Sequence, residues 1–153
     1  MKKNCWLGCR QDLDERQLLI RGNVFQHMTV LLFVLLLVNG FIKSEGITWA
    51  EGMWENILII WAGLGLGLLE YIFRDILPVG GGMNAFLILE GILGLLLMVL
   101  LGSHLLFGND TVVANGMLTS TGAELIQGGV MLCVGIAFLG RRLYERGRKE
   151  KEE

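Results

Sequence analysis

Apolar residues in this chain fall into four long runs separated by short polar stretches. The runs cover about 24–42, 53–73, 85–107 and 123–140, and the first holds the uninterrupted stretch Val30-Leu-Leu-Phe-Val-Leu-Leu-Leu-Val38. An α-helix needs about 20 predominantly apolar residues to cross the hydrocarbon of a bilayer. Strands of a membrane barrel would instead alternate over shorter segments. The pattern predicts an all-α membrane protein with four transmembrane helices in an up-down bundle. An N-terminal arm over 1–23 precedes the transmembrane domain over 24–140, and a charged tail occupies 141–153.

The first run is expected to be a retained anchor rather than a cleaved signal. Asp12, Asp14 and Glu15 make its leader acidic, and Thr48-Trp49-Ala50 is a distant, poor match to a cleavage site. Of the 13 Lys and Arg residues, Lys43 alone falls on one side of this topology; the arm, the link after the second helix and the tail carry the rest. Basic residues gather on the cytoplasmic side of membrane proteins, so both termini are expected in the cytoplasm. Trp49 and Trp54 fall at the outer boundary, and Tyr71 and Tyr144 near the inner one. Thr48 with Glu51 and Thr121 with Glu124 fit the capping-box spacing, which would start the second helix near Trp49. Asp12 with Glu15 fits a cap for a helix leading into the first span. Leu77-Pro78-Val79-Gly80-Gly81-Gly82 is a chain break, because Pro cannot continue a helix and glycines permit a tight return. The tail is expected to be a frayed helical end.

Composition adds little beyond this. Hydrophobic residues make up 53% of the chain, charged ones 18%, and the net charge of −2 gives no support to nucleic-acid binding. No internal repeat suggests an inverted-repeat transporter. The 22 glycines include a small-xxx-small pair at Gly63 and Gly67, and Gly129, Cys133 and Ala137 form a second stripe of small residues at helical spacing. Such stripes let helices approach closely in lipid, either within one bundle or between copies. Cys5 and Cys9 offer two metal ligands where a structural zinc site takes four, so no metal or cofactor is expected. Asn109-Asp110-Thr111 matches a glycosylation acceptor but sits close to the end of the third run.

Intramembrane polar residues are the candidates for chemistry, and they fall in two layers. Gln26, His27, Glu70 and Glu90 lie toward the inner face; Glu55, His104, Glu124 and Gln127 lie toward the outer one. Glu70 precedes Arg74 by one helical turn, the favourable order for an ion pair. Glu124 reads as a capping residue, and Glu55 as close enough to outer water to be unremarkable. Glu90 lies roughly 9 Å inside the boundary at Asn84, with no basic residue within a turn on its own helix. It is expected to be protonated, to reach water, or to meet His27 or Arg74 from another helix. His104 is expected to bond a backbone carbonyl or Glu124.

The segments Leu13-Asp14-Glu15-Arg16-Gln17, Arg21-Gly22-Asn23-Val24-Phe25-Gln26-His27 and Gly52-Met53-Trp54-Glu55-Asn56-Ile57-Leu58-Ile59-Ile60 resemble an uncharacterised family of small four-helix bacterial membrane proteins from Firmicutes. An Asp-Glu-Arg-Gln motif before the first helix, here Asp14, Glu15, Arg16 and Gln17, marks that family. The likeness spans roughly residues 12–75 and implies a four-helix protein of the bacterial cytoplasmic membrane without assigning a catalytic residue. Small multidrug transporters also have four helices but depend on an acid in the first, which the run 24–42 lacks. No metalloprotease, serine-nucleophile, P-loop or dinucleotide motif occurs, so no enzyme is expected. The expected role is a non-catalytic accessory, regulatory or assembly component acting through helix packing. Its partners are the lipid bilayer and a second copy or another membrane protein, with no nucleic acid. The alternative is a small ion- or proton-coupled transporter using Glu90.

Overall fold

The computed structural model describes residues 15–74, 76, 81–108 and 110–149. Cys5, Cys9, Asp12, Asp14, Pro78 and Asn109 lie outside the described residues. The elements in chain order are α1 (Glu15–Ser44), α2 (Trp54–Phe73), α3 (Gly81–Phe107), β1 (Val113–Ala114), β2 (Met117–Leu118) and α4 (Ser120–Lys149). All four helices are long and apolar enough to cross a membrane. α1 and α4 extend well past the apolar runs at their polar ends, and α4 continues as regular helix through the charged stretch expected to fray.

The helices pack in the order α1–α2–α4–α3, with α3 and α4 sharing the most extensive seam. Glycines open each seam. Three and four residues apart place side chains on one helix face, whereas two apart places them on nearly opposite faces. Gly63 and Gly67 therefore face α1, against Leu32 and Met28, while Gly65 between them faces Val130 of α4. The Gly-Leu-Gly-Leu-Gly run thus belongs to a helix held on two sides. On the α3–α4 seam, a Cβ on Gly91 would sit 2.9 Å from Gly135 Cα, and one on Gly94 would sit 2.6 Å from Leu132 N. These two backbones nearly touch. Below them, Ile72, Leu87, Val134 and Phe138 form a buried cluster joining α2, α3 and α4.

Of the stripe Gly129–Cys133–Ala137, Ala137 packs against the Ile72, Leu87, Val134 and Phe138 cluster, whereas the other two positions face away from the seam. A Cβ on Gly129 would meet nothing within 4 Å, and Cys133 is exposed. α4 turns Gly128 and Gly135 toward α3 instead, because the buried leucine, valine and phenylalanine positions lie on that neighbouring face.

β1 and β2 form an antiparallel hairpin between α3 and α4, with Val113 opposite Leu118 and Ala114 opposite Met117. Its two-residue loop is Asn115-Gly116, at φ 52° and 77°. A type I′ turn requires both central residues in this left-handed region, which Asn and Gly tolerate best. The α1–α2 link adds to the hairpin: Leu118 N donates to Trp49 O at 2.8 Å, and Glu51 N donates to Leu118 O at 3.0 Å.

This link displaces both expected capping boxes. α2 begins at Trp54 with no side-chain cap, and Thr48 Oγ1 lies 3.1 Å from Met117 Sδ. Glu51 turns to α4 instead, where its Oε2 accepts from Ser120 N at 3.1 Å. Thr119, not Thr121, caps α4, accepting from Gly122 N at 3.2 Å. A carboxylate is favoured at a helix N-terminus because exposed N–H groups and the helix dipole both point there. Glu51 meets that need on the helix it faces in space.

Candidate functional site

Polar side chains gather at the two ends of the bundle, with one buried acid between them. The two ends are the hairpin end and the termini end, where the described chain starts and stops. At the termini end, Glu70 joins α1 and α2. Arg74 Nη2 lies 2.7 Å from Glu70 Oε1 one turn on, as its spacing predicted, and His27 Nδ1 of α1 lies 3.2 Å from the same oxygen. His27 is 61% exposed, so this pair remains open to its surroundings.

The arginines beside this cluster do more than balance charge. The last carbonyls of a helix have no partners within it. Here Arg141 of α4 donates through Nη1 to Ile72 O and Phe73 O, each at 2.7 Å. Arg21 of α1 donates through Nε to Ile76 O at 3.1 Å, and Tyr71 hydroxyl donates to Arg21 O at 3.4 Å. The C-terminus of α2 is therefore clamped from both neighbouring helices. Glu15, Arg16 and Gln17 lie exposed on the first turn of α1.

The hairpin end carries a site the sequence reading passed over. Glu55, expected at the water boundary, is only 1% exposed. Its Oε2 lies 2.7 Å from Lys43 Nζ of α1, and its Oε1 accepts from Trp49 N at 2.9 Å. Asn39, also buried, accepts from Trp49 Nε1 at 2.7 Å and donates to Asn56 Oδ1 at 3.1 Å. α1, the link and α2 are thus tied by one polar network. The hairpin holds the link through Leu118, which bonds Trp49 and Glu51, and Trp49 in turn donates to Glu55, an arrangement no local pattern around Glu55 reveals. Asn39 and Lys43, one turn apart at the end of an apolar run, were the signal available.

Glu90 is 5% exposed, and its Oε2 is buried without a hydrogen-bond partner among the described residues. It lies on the α3 face that carries Leu87 and Gly94, so by register it borders the α3–α4 seam. It meets neither His27 nor Arg74, because both are drawn to Glu70. The expected inner group of Glu90, Glu70, Arg74 and His27 therefore divides into a three-residue cluster and a separate acid.

At the hairpin end, His104 Nδ1 lies 3.9 Å from Asp110 Oδ2, both exposed, so His104 turns toward Asp110 rather than Glu124. No group of three or more His, Cys, Asp or Glu side chains among the described residues is placed to hold a metal ion. No protein-family model matches the chain, and no curated protein or solved structure matches it either.

Proposed function

We propose that this chain is a multi-pass protein of the bacterial cytoplasmic membrane with both termini in the cytoplasm, serving a non-catalytic accessory, regulatory or assembly role through helix packing. The location rests on the resemblance of residues 12–75 to the Asp-Glu-Arg-Gln family. The orientation rests on charge: Arg16, Arg21, Arg74, Arg141, Arg142, Arg146 and Arg148 all belong to the termini end, against Lys43 at the other.

The observation that carries the role is the position of α1. It packs along α2 at one edge of the row, and only 6% of its membrane-length stretch is buried within the chain. The His27–Glu70 and Lys43–Glu55 pairs meanwhile act as struts between α1 and α2, which suits a scaffold whose edge helix meets another membrane protein. A crosslinked pull-down of a C-terminally tagged copy from native membranes tests this reading. It predicts a reproducible membrane-protein partner in near-stoichiometric amount, lost when α1 is replaced by an unrelated apolar helix. Recovery of the chain alone contradicts it.

A second reading, a small ion- or proton-coupled transporter, is favoured by the buried carboxyl of Glu90 alone. Glu90→Gln then abolishes pH-dependent substrate movement while leaving the fold intact. A packing role for Glu90 predicts lost stability or assembly instead.

A further inference from the structure

Among the described residues the buried acids are Glu55 and Glu90, and they differ in what meets them. Glu55 is held by Lys43 and the Trp49 amide, whereas Oε2 of Glu90 has no partner. The surroundings of Glu90 follow from its register. Leu87 lies three residues before it and Gly94 four after, so the three share one face of α3. Leu87 packs with Ile72, Val134 and Phe138, and Gly94 lies against Leu132 N and Gly128 O. The next residue, Gly91, sits so close to α4 that a Cβ there would lie 2.9 Å from Gly135 Cα. The carboxyl therefore borders a seam of touching backbones and apolar side chains.

No charge on the elements around it offers a counterion. Between Glu55 and Glu70, α2 has no ionisable residue, and Glu70 and Arg74 pair with each other and with His27. Between Glu124 and Arg141, α4 has only Cys133, which is exposed. Glu124 lies about 16 Å and Arg141 about 9 Å along the axis from Gly135. Arg141 is engaged by the carbonyls of Ile72 and Phe73 and by Glu145, and Arg142 lies over the Phe138 ring. On α3 itself the other ionisable residue is His104, about 21 Å away and turned to Asp110. A hard metal cation takes about six to eight oxygens, and no group of three or more His, Cys, Asp or Glu among the described residues could supply them. Helix carbonyls on both sides are bonded along their own helices. The ligand that fits this carboxyl is a proton.

We propose that Glu90 is a proton-binding site that governs the α3–α4 seam: with the proton bound the two helices stay closed, and its loss to water loosens them around Gly91 and Gly135. A buried neutral acid costs no more than a missing hydrogen bond, but an unpaired carboxylate in the same place costs far more and must follow its proton to water. Because Gly91 and Gly94 set α3 directly on the α4 backbone, the carboxylate gains that water by parting the seam. Packing stability from this site is thus present at low pH and lost as pH rises. The proposal rests on the membrane reading above and needs no transported substrate.

Hydrogen exchange of the full-length protein in an uncharged detergent, read by mass spectrometry over α3 and α4 seam peptides at about pH 6 and about pH 9, tests the site. Comparing chains at one pH removes the change in intrinsic exchange rate. At the higher pH the unaltered chain should exchange at the seam roughly tenfold or more faster than Glu90→Gln, which cannot ionise, and at the lower pH the two should match. Glu90→Leu, also unable to ionise, stands in if Glu90→Gln fails to fold. Glu90→Asp, which keeps a carboxyl, should keep the pH dependence. Sodium or calcium chloride should protect the seam no better than choline chloride at equal ionic strength.

Equal or faster exchange in the uncharged variants at the higher pH overturns the proposal and leaves Glu90 a packing residue. Loss of the pH dependence in Glu90→Asp also overturns it, as does protection specific to sodium or calcium, which would mark a metal-cation site. Membrane fractionation separates the two levels of the account. A chain absent from membranes defeats the membrane reading itself, whereas a membrane-bound chain whose seam ignores pH defeats only the proton site.

Discussion

The Lys43–Glu55 pair offers the sharpest test of how the hairpin end is held. Glu55 is 1% exposed and Lys43 about two-fifths exposed, at 42%. The two residues are therefore not equivalent. Removing the lysine leaves a buried carboxylate with the Trp49 N–H still donating to it. Breaking a fully buried pair in this way costs about 3–5 kcal/mol, whereas exposed pairs are worth about 0–1 kcal/mol. With one partner half in solvent, Lys43→Met should cost about 2 kcal/mol. Glu55→Gln should cost less, about 1 kcal/mol, because the amide oxygen can still accept from Trp49 and the freed ammonium turns outward. The double variant should cost less than the sum, since no unpaired buried charge remains. Reversible unfolding in mixed detergent micelles, followed by tryptophan fluorescence, gives the four free energies of the cycle. A coupling of about 1 kcal/mol or more supports the pair, and additivity within about 0.5 kcal/mol would refute the reasoning.

Two further predictions concern glycine. Gly94→Ala places a methyl group against the α4 backbone and should destabilise by about 1–3 kcal/mol, as overpacking does. Gly129→Ala, with open space around it, should be nearly neutral or slightly stabilising in the same assay. At the hairpin, Gly116→Ala puts a Cβ on a left-handed residue and should cost about 1–2 kcal/mol. Gly116→Asn should recover much of that loss, because Asn tolerates the conformation. Equal effects of Ala and Asn there would contradict the turn.

Long-range features explain where sequence reading stopped. Four membrane-length helices were legible because uninterrupted apolar runs have few other structural solutions. The Glu70–Arg74 pair was legible because it is local, one turn apart on one helix. Gly63 and Gly67 were legible as a packing face for the same reason. The choice between Gly129 and Gly128 on α4 was not, since both belong to small-residue patterns and only the neighbouring α3 glycines select one. Glu55 and Glu51 were misplaced because their partners come from Lys43, Trp49 and Ser120, brought together by the hairpin. The hairpin itself carried a usable signal in Asn115-Gly116, the strongest short-range mark of a type I′ turn. The separation of Glu90 from Glu70 depends on which helix α3 meets, and nothing local to Glu90 encodes that.

The proposed topology rests on the charge distribution, and the accessory role depends on it in turn. Labelling with a membrane-impermeant maleimide tests it directly, using Asn115→Cys with the native cysteines replaced, beside the unaltered chain with Cys5 and Cys9. The account predicts that Asn115→Cys is labelled in intact cells, while Cys5 and Cys9 react only after permeabilisation. Labelling of Cys5 or Cys9 in intact cells, with Asn115→Cys protected until permeabilisation, would contradict it.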